Sequence, residues 1–324
     1  MTDEIQDAAR LLFGLLSPQI IEAGDRITKG EMRLVHYTSA ENALGIINSE
    51  QFWLRNVRCM DDYSEVQHGI GLLLKVFAEN DYFRRERLVR ALDQVAPESA
   101  RAGIAKFDEW IKRLPDETFI GCLSEFDVDD KLGRLSMWRA YSTKKAGVAL
   151  VMNPWPFIAE SDVLKAYSVP VAYLSDVQFA ERLDVCLSEI ESHFEQMKAL
   201  PPDNVVHIVF WWLIFMSVSL KHPAFIEERE WRVIYIPSMD RSDTIHSAVE
   251  CISGVPQVIE KIPLINDMEK GLDRADLDNL LHQLIIGPSE FPLVLYDAFE
   301  RALTEKNVKD ASSRISVSFI PLRN

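Results

Sequence analysis

The chain has 324 residues, 48% hydrophobic and 26% charged, the make-up of a soluble globular protein with room for one large domain or two modest ones. A formal net charge of −15 and a pI near 5.0 disfavour a general binder of nucleic acid or anionic membrane, which needs a positive field, but leave room for a local basic cleft. The cysteines Cys59, Cys122, Cys186 and Cys251 are far apart and form no CxxC, and the acidic start MTDEIQDAAR lacks a leader pattern, so reduced thiols and a cytoplasmic location are expected.

Residues 4–23 form an amphipathic helical pattern ending near Gly24, an N-terminal helical appendage within residues 1–30. MRLVHYT (32–38) alternates as a strand, and Thr38 followed by Glu41 is a capping-box signature for a helix running to about Asn48. FWLRNV (52–57) is a second short strand, and Asp62 and Glu65 mark another helix start. Charged helical patterns then fill 64–113, so a helical insertion is expected at about 64–115.

TFIGCLS (118–124) and GVALVMN (147–153) are strands, separated by a polar loop and LSMWRAYS. YSVPVAYL (167–174) is a strand that Pro170 pushes toward an edge or a bulge. Helices are expected at about 176–199 and 204–221. The second holds the most hydrophobic run, Val205 to Leu220, shorter than the roughly 20 residues of a membrane span and interrupted by His207, Ser217 and Ser219, so it is a core helix. A strand over 225–236, a strand LHQLIIGP, a helix over 289–306 and a final strand RISVSFIPLR complete the chain. The expected organisation is a single α+β domain over 31–324.

The P-loop, HExxH and GxSxG patterns are absent, Gly69 and Gly71 sit inside a helical pattern, and no His or Cys has a metal-ligand partner at suitable spacing. No metal site is therefore expected from those motifs. Three polar clusters remain. In His36-Tyr37-Thr38, strand alternation puts His36 and Thr38 on one face; the plain alternative is a core histidine and a helix-capping threonine. In Ser136–Tyr141, Trp138 and Tyr141 lie three apart beside Arg139, either an aromatic plug with a surface arginine or a wall for a flat ring with Arg139 gripping a phosphate. In KHPAFIEEREWRVIYIP, a strand would put Glu228, Glu230 and Arg232 on one face and Glu227, Arg229 and Trp231 on the other. Exposed ion pairs contribute only about 0–1 kcal/mol and buried ones are costly, so a cleft best explains the crowding.

In order, the segments LVHYTSAENALGIINSEQFWLRNVRCMDDYSE, LSMWRAYSTKKAGVALVMN, HPAFIEEREWRVIY, LIIGP and VSFIPLR resemble a widespread bacterial family, domain of unknown function 2971, from about residue 32 to the C-terminus. The family tends to show an Asn-Asp-Pro-type turn where this chain has Met60-Asp61-Asp62-Tyr63-Ser64-Glu65. The order of elements also resembles the ADP-ribosyltransferase fold, which implies a split mixed sheet decorated with helical insertions. By that resemblance NAD is the substrate, and ADP-ribose passes to a macromolecular acceptor, protein or nucleic acid, in a toxin or phage-defence setting that could include a neutralising partner.

The resemblance gives His36 the nicotinamide-side ribose, Thr38 the seating of NAD, and Trp138 or Tyr141 the nicotinamide stack. Glu230 is the catalytic carboxylate, and Glu228 its companion acid. Arg55, Arg139 or Arg232 neutralises the pyrophosphate. Chemically, a fixed carboxylate stabilises the oxocarbenium-like centre formed as the nicotinamide–ribose bond breaks, and a second acid activates the acceptor. A nucleic-acid acceptor implies a basic rim of Arg55, Arg58 and Lys131 or Arg134. Two alternatives stay open: a metal-dependent nuclease or phosphoesterase using Asp61, Asp62, Glu65, Glu228 and Glu230 as oxygen ligands, and a non-catalytic nucleotide-binding interaction protein.

Overall fold

The structure is a computed structural model that describes residues 3–59, 63–141, 146–158, 163–270 and 272–320, the side chains of 63–65, 78–82, 141 and 158 excepted. In chain order the first elements are α1 (Asp3–Leu16), α2 (Pro18–Thr28), β1 (Met32–Ser39), α3 (Ala40–Ser49), β2 (Gln51–Asn56), α4 (Tyr63–Asp93), α5 (Ser99–Trp110) and α6 (Leu114–Glu117). Next come β3 (Phe119–Asp127), α7 (Leu135–Tyr141), β4 (Gly147–Met152), α8 (Trp155–Ile158), β5 (Ala166–Pro170), β6 (Ala172–Tyr173), α9 (Asp176–Met197) and α10 (Pro202–Ser219). The last are β7 (Leu220–Lys221), β8 (Glu230–Tyr235), β9 (His246–Ile252), β10 (Val255–Pro263), α11 (Leu277–Leu280), β11 (Leu281–Ile286), α12 (Pro292–Glu305) and β12 (Ile315–Val317). The chain is thus mixed α+β, and it divides into two compact units.

Unit 1 comprises Met1–Ala23, Val57–Glu117 and Val169–Ile226, so the expected appendage, insertion and later helices gather in one helical body. Its centre is α10, apolar on nearly every side, with Trp212, Leu213 and Ile214 almost fully buried. Among the described residues α10 alone is long and apolar enough to cross a membrane, but 67% of it is buried in the protein, as in a core helix. Helix α4 crosses it closely at Gly69, where a Cβ would stand 2.6 Å from the Ser217 carbonyl oxygen. Gly69 is therefore a packing glycine, not part of a phosphate loop. Arg84 grips Asp184 with two bonds of 3.0 and 2.8 Å, and Arg87 grips Glu191 likewise at 2.7 Å, joining the polar faces of α4 and α9.

Unit 2 comprises Gly24–Asn56, Thr118–Ser168 and Glu227–Asn324 and holds a ten-stranded sheet. The strand order is β12-β11-β4-β1-β3-β2-β10-β9, with β8 on β3 and β5 on β8. Along that order and between β3 and β8 the strands run antiparallel, apart from the parallel pair β11–β12, so the sheet is mixed and mainly antiparallel. Strand β3 shares one edge between two neighbours: β1 takes residues 124–127 and β2 takes 119–120. Its other edge belongs to β8 over 119–124.

Three local details differ from the sequence expectations. Ser39, not Thr38, caps α3 by accepting from the Asn42 amide, while the Thr38 hydroxyl accepts from the Asn42 side chain at 3.2 Å. The expected strand over 225–236 begins instead as a 3-10 turn, Pro223–Glu228, because Pro223 fixes its own backbone and donates nothing to a ladder. Arg229, at φ 42°, then turns the chain into β8. The hairpin β9–β10 was not among the expected elements; Ser253 (φ 52°) and Gly254 (φ 83°) form its two-residue turn, the positive-φ geometry that matches strand twist.

Candidate functional site

Strand register decides which expected residues can meet. Val35 on β1 pairs with Ser124 on β3, which pairs with Glu230 on β8, so these three side chains share one face of the sheet. Val35 and Tyr37 pack there with Trp138 in one buried cluster. Glu230 and Arg232 therefore lie on the Trp138 face. His36 and Thr38, one residue out of phase, lie on the opposite face. The sheet itself separates His36 from Glu230, and the three clusters do not converge.

On the Trp138 face, Glu230 and Arg232 are 5% and 1% exposed. Arg232 donates to both carboxylate oxygens of Glu230, at 2.8 and 3.2 Å, a forked pair between residues two apart on one strand. Glu228 is not their neighbour on that strand face, because it ends the 3-10 turn before β8. Trp138 is fully buried, edge-on to Tyr37 with ring centroids 5.1 Å apart, and its indole N–H donates to the Leu132 carbonyl at 2.8 Å. No ring face is left for a ligand: Trp138 is a plug. Arg139 is exposed on α7, and the Tyr141 side chain lies outside the described residues.

The expected basic rim is largely engaged. Arg55 donates to Gln257 at 3.0 Å, Arg58 in unit 1 pairs with Asp116 at 2.9 Å, and Arg134 binds the carbonyls of Glu125 and Glu227; Lys131 is exposed. Of the proposed oxygen ligands, Asp61, Asp62 and the Glu65 side chain lie outside the described residues. Among the described residues no group of three or more His, Cys, Asp or Glu is placed to hold a metal.

On the His36 face, His36 Nδ1 lies 2.9 Å from the Cys122 carbonyl oxygen, between the β3 segments taken by β1 and β2. A carbonyl accepts only, so Nδ1 carries the proton and Nε2 is the acceptor. The ring stands edge-on to Phe52 at 5.4 Å. Burial pushes the imidazole pKa below its ordinary value, outweighing the bond to Cys122.

Phe52 also walls a cavity of about 380 Å³ with Trp155 and Phe157 from α8, Ala166 and Ser168 from β5, and Val233 from β8. Trp155 and Arg274, both exposed, mark its mouth together with Asp273. A small void beside His36 shares Phe52, Leu264 and Leu280 with the cavity, so His36 sits one side chain behind its wall. Sequence reasoning found His36 but missed Trp155, Phe157 and Arg274. The only local signal was WPF, aromatic residues flanking a proline.

The model of one protein family, a protein of unknown function (DUF2971), matches residues 137–233. No curated protein and no solved structure matches the chain. The DUF2971 segment contains Trp138, Arg139, Glu230 and Arg232, together with cavity residues Trp155, Phe157, Ala166, Ser168 and Val233. His36, Phe52 and Arg274 lie outside it.

The His36 environment carries a pH signature. Its folded pKa is depressed, so the unfolded chain binds the proton more readily. Its contribution to stability is complete above the unfolded value of about 6.5 and declines as pH falls from there toward the folded value. Denaturant midpoints measured from pH 7.5 down to 5.5 should therefore fall, with a shallower fall in His36→Gln.

Proposed function

We propose that unit 2 binds a nucleotide, with one flat ring seated in the cavity on the His36 face, and that NAD is the ligand to test first. The cavity carries this reading. Its volume lies within the roughly 300–1,000 Å³ range of small-molecule sites, and the aromatic side chains of Phe52, Trp155 and Phe157 suit a planar ring. Arg274 supplies a guanidinium at the mouth for a phosphate, and Asp273 beside it supplies an acceptor for sugar hydroxyls. The space suits a ring with its sugar, leaving the rest of a dinucleotide toward the mouth.

Transfer of ADP-ribose to a macromolecular acceptor, in a toxin or anti-phage effector, is the second reading. The shared β3 edge supports likening the sheet to the split sheet of ADP-ribosyltransferases, and His36, the aromatic α7 and Glu230 follow in the corresponding order. That reaction needs a carboxylate beside the ribose bond being broken. Glu230 lies on the other face with both oxygens held by Arg232, so the geometry favours binding over transfer.

Calorimetric titration with NAD and with adenine nucleotides tests the proposal. Saturable binding is expected in the wild type, weakened at least about tenfold (near 1.4 kcal/mol) by Ala166→Trp, which fills the cavity, and by Trp155→Ser, which removes an exposed wall. Circular dichroism checks that both variants fold. Labelled NAD given to the wild type and to Glu230→Gln separates the readings: transfer or nicotinamide release lost with Glu230 makes the protein a transferase, and binding without turnover makes it a sensor. Failure to bind any of these nucleotides overturns the proposal.

A further inference from the structure

From Thr244 to Ile259 the only Asp, Glu, Lys or Arg is Glu250, in a chain that is 26% charged with a net charge of −15. This neutral stretch forms the hairpin β9–β10, and β9 is the last strand of the sheet. Its seven residues pair with β10 on one side only among the described residues. Natural edge strands are usually kept short or guarded by lysine, proline or a bulge, because unpaired backbone groups recruit another strand. The sheet's opposite end obeys that rule: β12 has three residues. Strand β9 has no lysine, arginine or proline, and its register with β10 is continuous.

The side chains add an apolar stripe. Val249 faces Val258 across the hairpin, and they are 71% and 46% exposed. Cys251 and Pro256, the next pair on that face, are also exposed. Glu250, the one charge, is met at 2.6 Å by Lys261 of β10.

We propose that β9 pairs antiparallel with β9 of a second copy of this chain, joining two sheets across a twofold axis through Val249. The strand is self-complementary in that register. Val249 meets its own counterpart, Ala248 faces Glu250, Ser247 faces Cys251 and His246 faces Ile252. No charge is set opposite a like charge, the arrangement that destabilises cross-strand pairs. Such an isologous contact closes at two copies, so it satisfies the edge without building a fibre. The net charge of −15 opposes association of copies in general, and this neutral strip adds little to that repulsion.

Sedimentation velocity and light scattering on the whole protein over a wide concentration range test this. A species of twice the 37.1 kDa chain mass is expected. Val249→Lys puts two like charges together at the axis and should raise the dimer dissociation constant at least about tenfold. Because Val249 is exposed, that variant should fold normally by circular dichroism. Val249→Cys in a Cys251→Ser background should form an inter-chain disulfide under mild oxidation. A monomer at all concentrations overturns the proposal, whatever other protein the edge meets. So does a dimer unaffected by Val249→Lys, since association then uses another surface.

Discussion

Arg232→Ala is expected to lower the unfolding free energy by about 3–5 kcal/mol, the usual consequence of leaving one member of a buried ion pair without the other. Arg232 is 1% exposed and Glu230 5%, so water cannot replace the lost partner without opening β8. Glu230→Gln keeps the shape of the side chain but removes its charge, and should be destabilising in the same sense. Replacing both residues with apolar ones of similar volume, Glu230→Leu with Arg232→Met, should recover most of the loss, because such pairs often contribute little net stability over a well-packed apolar pair. Equilibrium urea unfolding of the wild type and these three variants makes the comparison. The sign for Glu230→Gln is the informative part: a carboxylate kept strained for catalysis is commonly stabilised by neutralisation, whereas a structural one is not. A more stable Glu230→Gln chain would return Glu230 to the list of catalytic candidates.

The sequence made the α+β class and the identity of most elements legible because their signals are local. Apolar residues around the whole of 205–220 require a buried helix, and alternation over 32–38 requires a strand with His36 and Thr38 on one side. Alternation could not say which face of β1 matches which face of β8. That depends on the long-range registers of β1 with β3 and β3 with β8, and a shift of one residue in either would have put His36 and Glu230 on the same side. Glu228 escaped for a different reason: Pro223 and the left-handed Arg229 interrupt a segment whose composition otherwise suits a strand. The cavity was hidden because its walls come from β2, α8, β5, β8 and the 262–280 segment, so no window of sequence contains them together. The hairpin β9–β10 left a short-range signal, Ser253-Gly254 between two β-branched runs, weakened by the scarcity of charge that normally marks the outer face of a strand.

Trp138→Ala should cost about 3–5 kcal/mol, the range for deleting a large buried aromatic. The expectation follows from how closely the ring is held. A Cβ at Gly287 would stand 2.7 Å from two of its atoms, and a Cβ at Gly133 would stand 2.7 Å from another, so both positions need the missing side chain for the indole to fit. Tyr37 meets the ring edge-on and uses its hydroxyl to accept from the Arg134 amide at 3.0 Å, tying the plug to the loop before α7. Trp138→Phe keeps much of the packing but removes the indole N–H bond to Leu132, and should cost less: the bond itself contributes about 0.5–1.5 kcal/mol, plus the lost volume. Gly287→Ala drives a methyl group into the ring from outside and should cost about 1–3 kcal/mol by overpacking. Denaturant midpoints of the three variants should rank Trp138→Ala as the most damaging, with nucleotide affinity in the folded fraction unchanged. A ligand-stacking tryptophan would give the reverse: Trp138→Ala would leave the midpoint nearly in place and remove binding. Since this side chain packs on the face opposite the cavity, the two measurements together determine which face of the sheet the ligand uses.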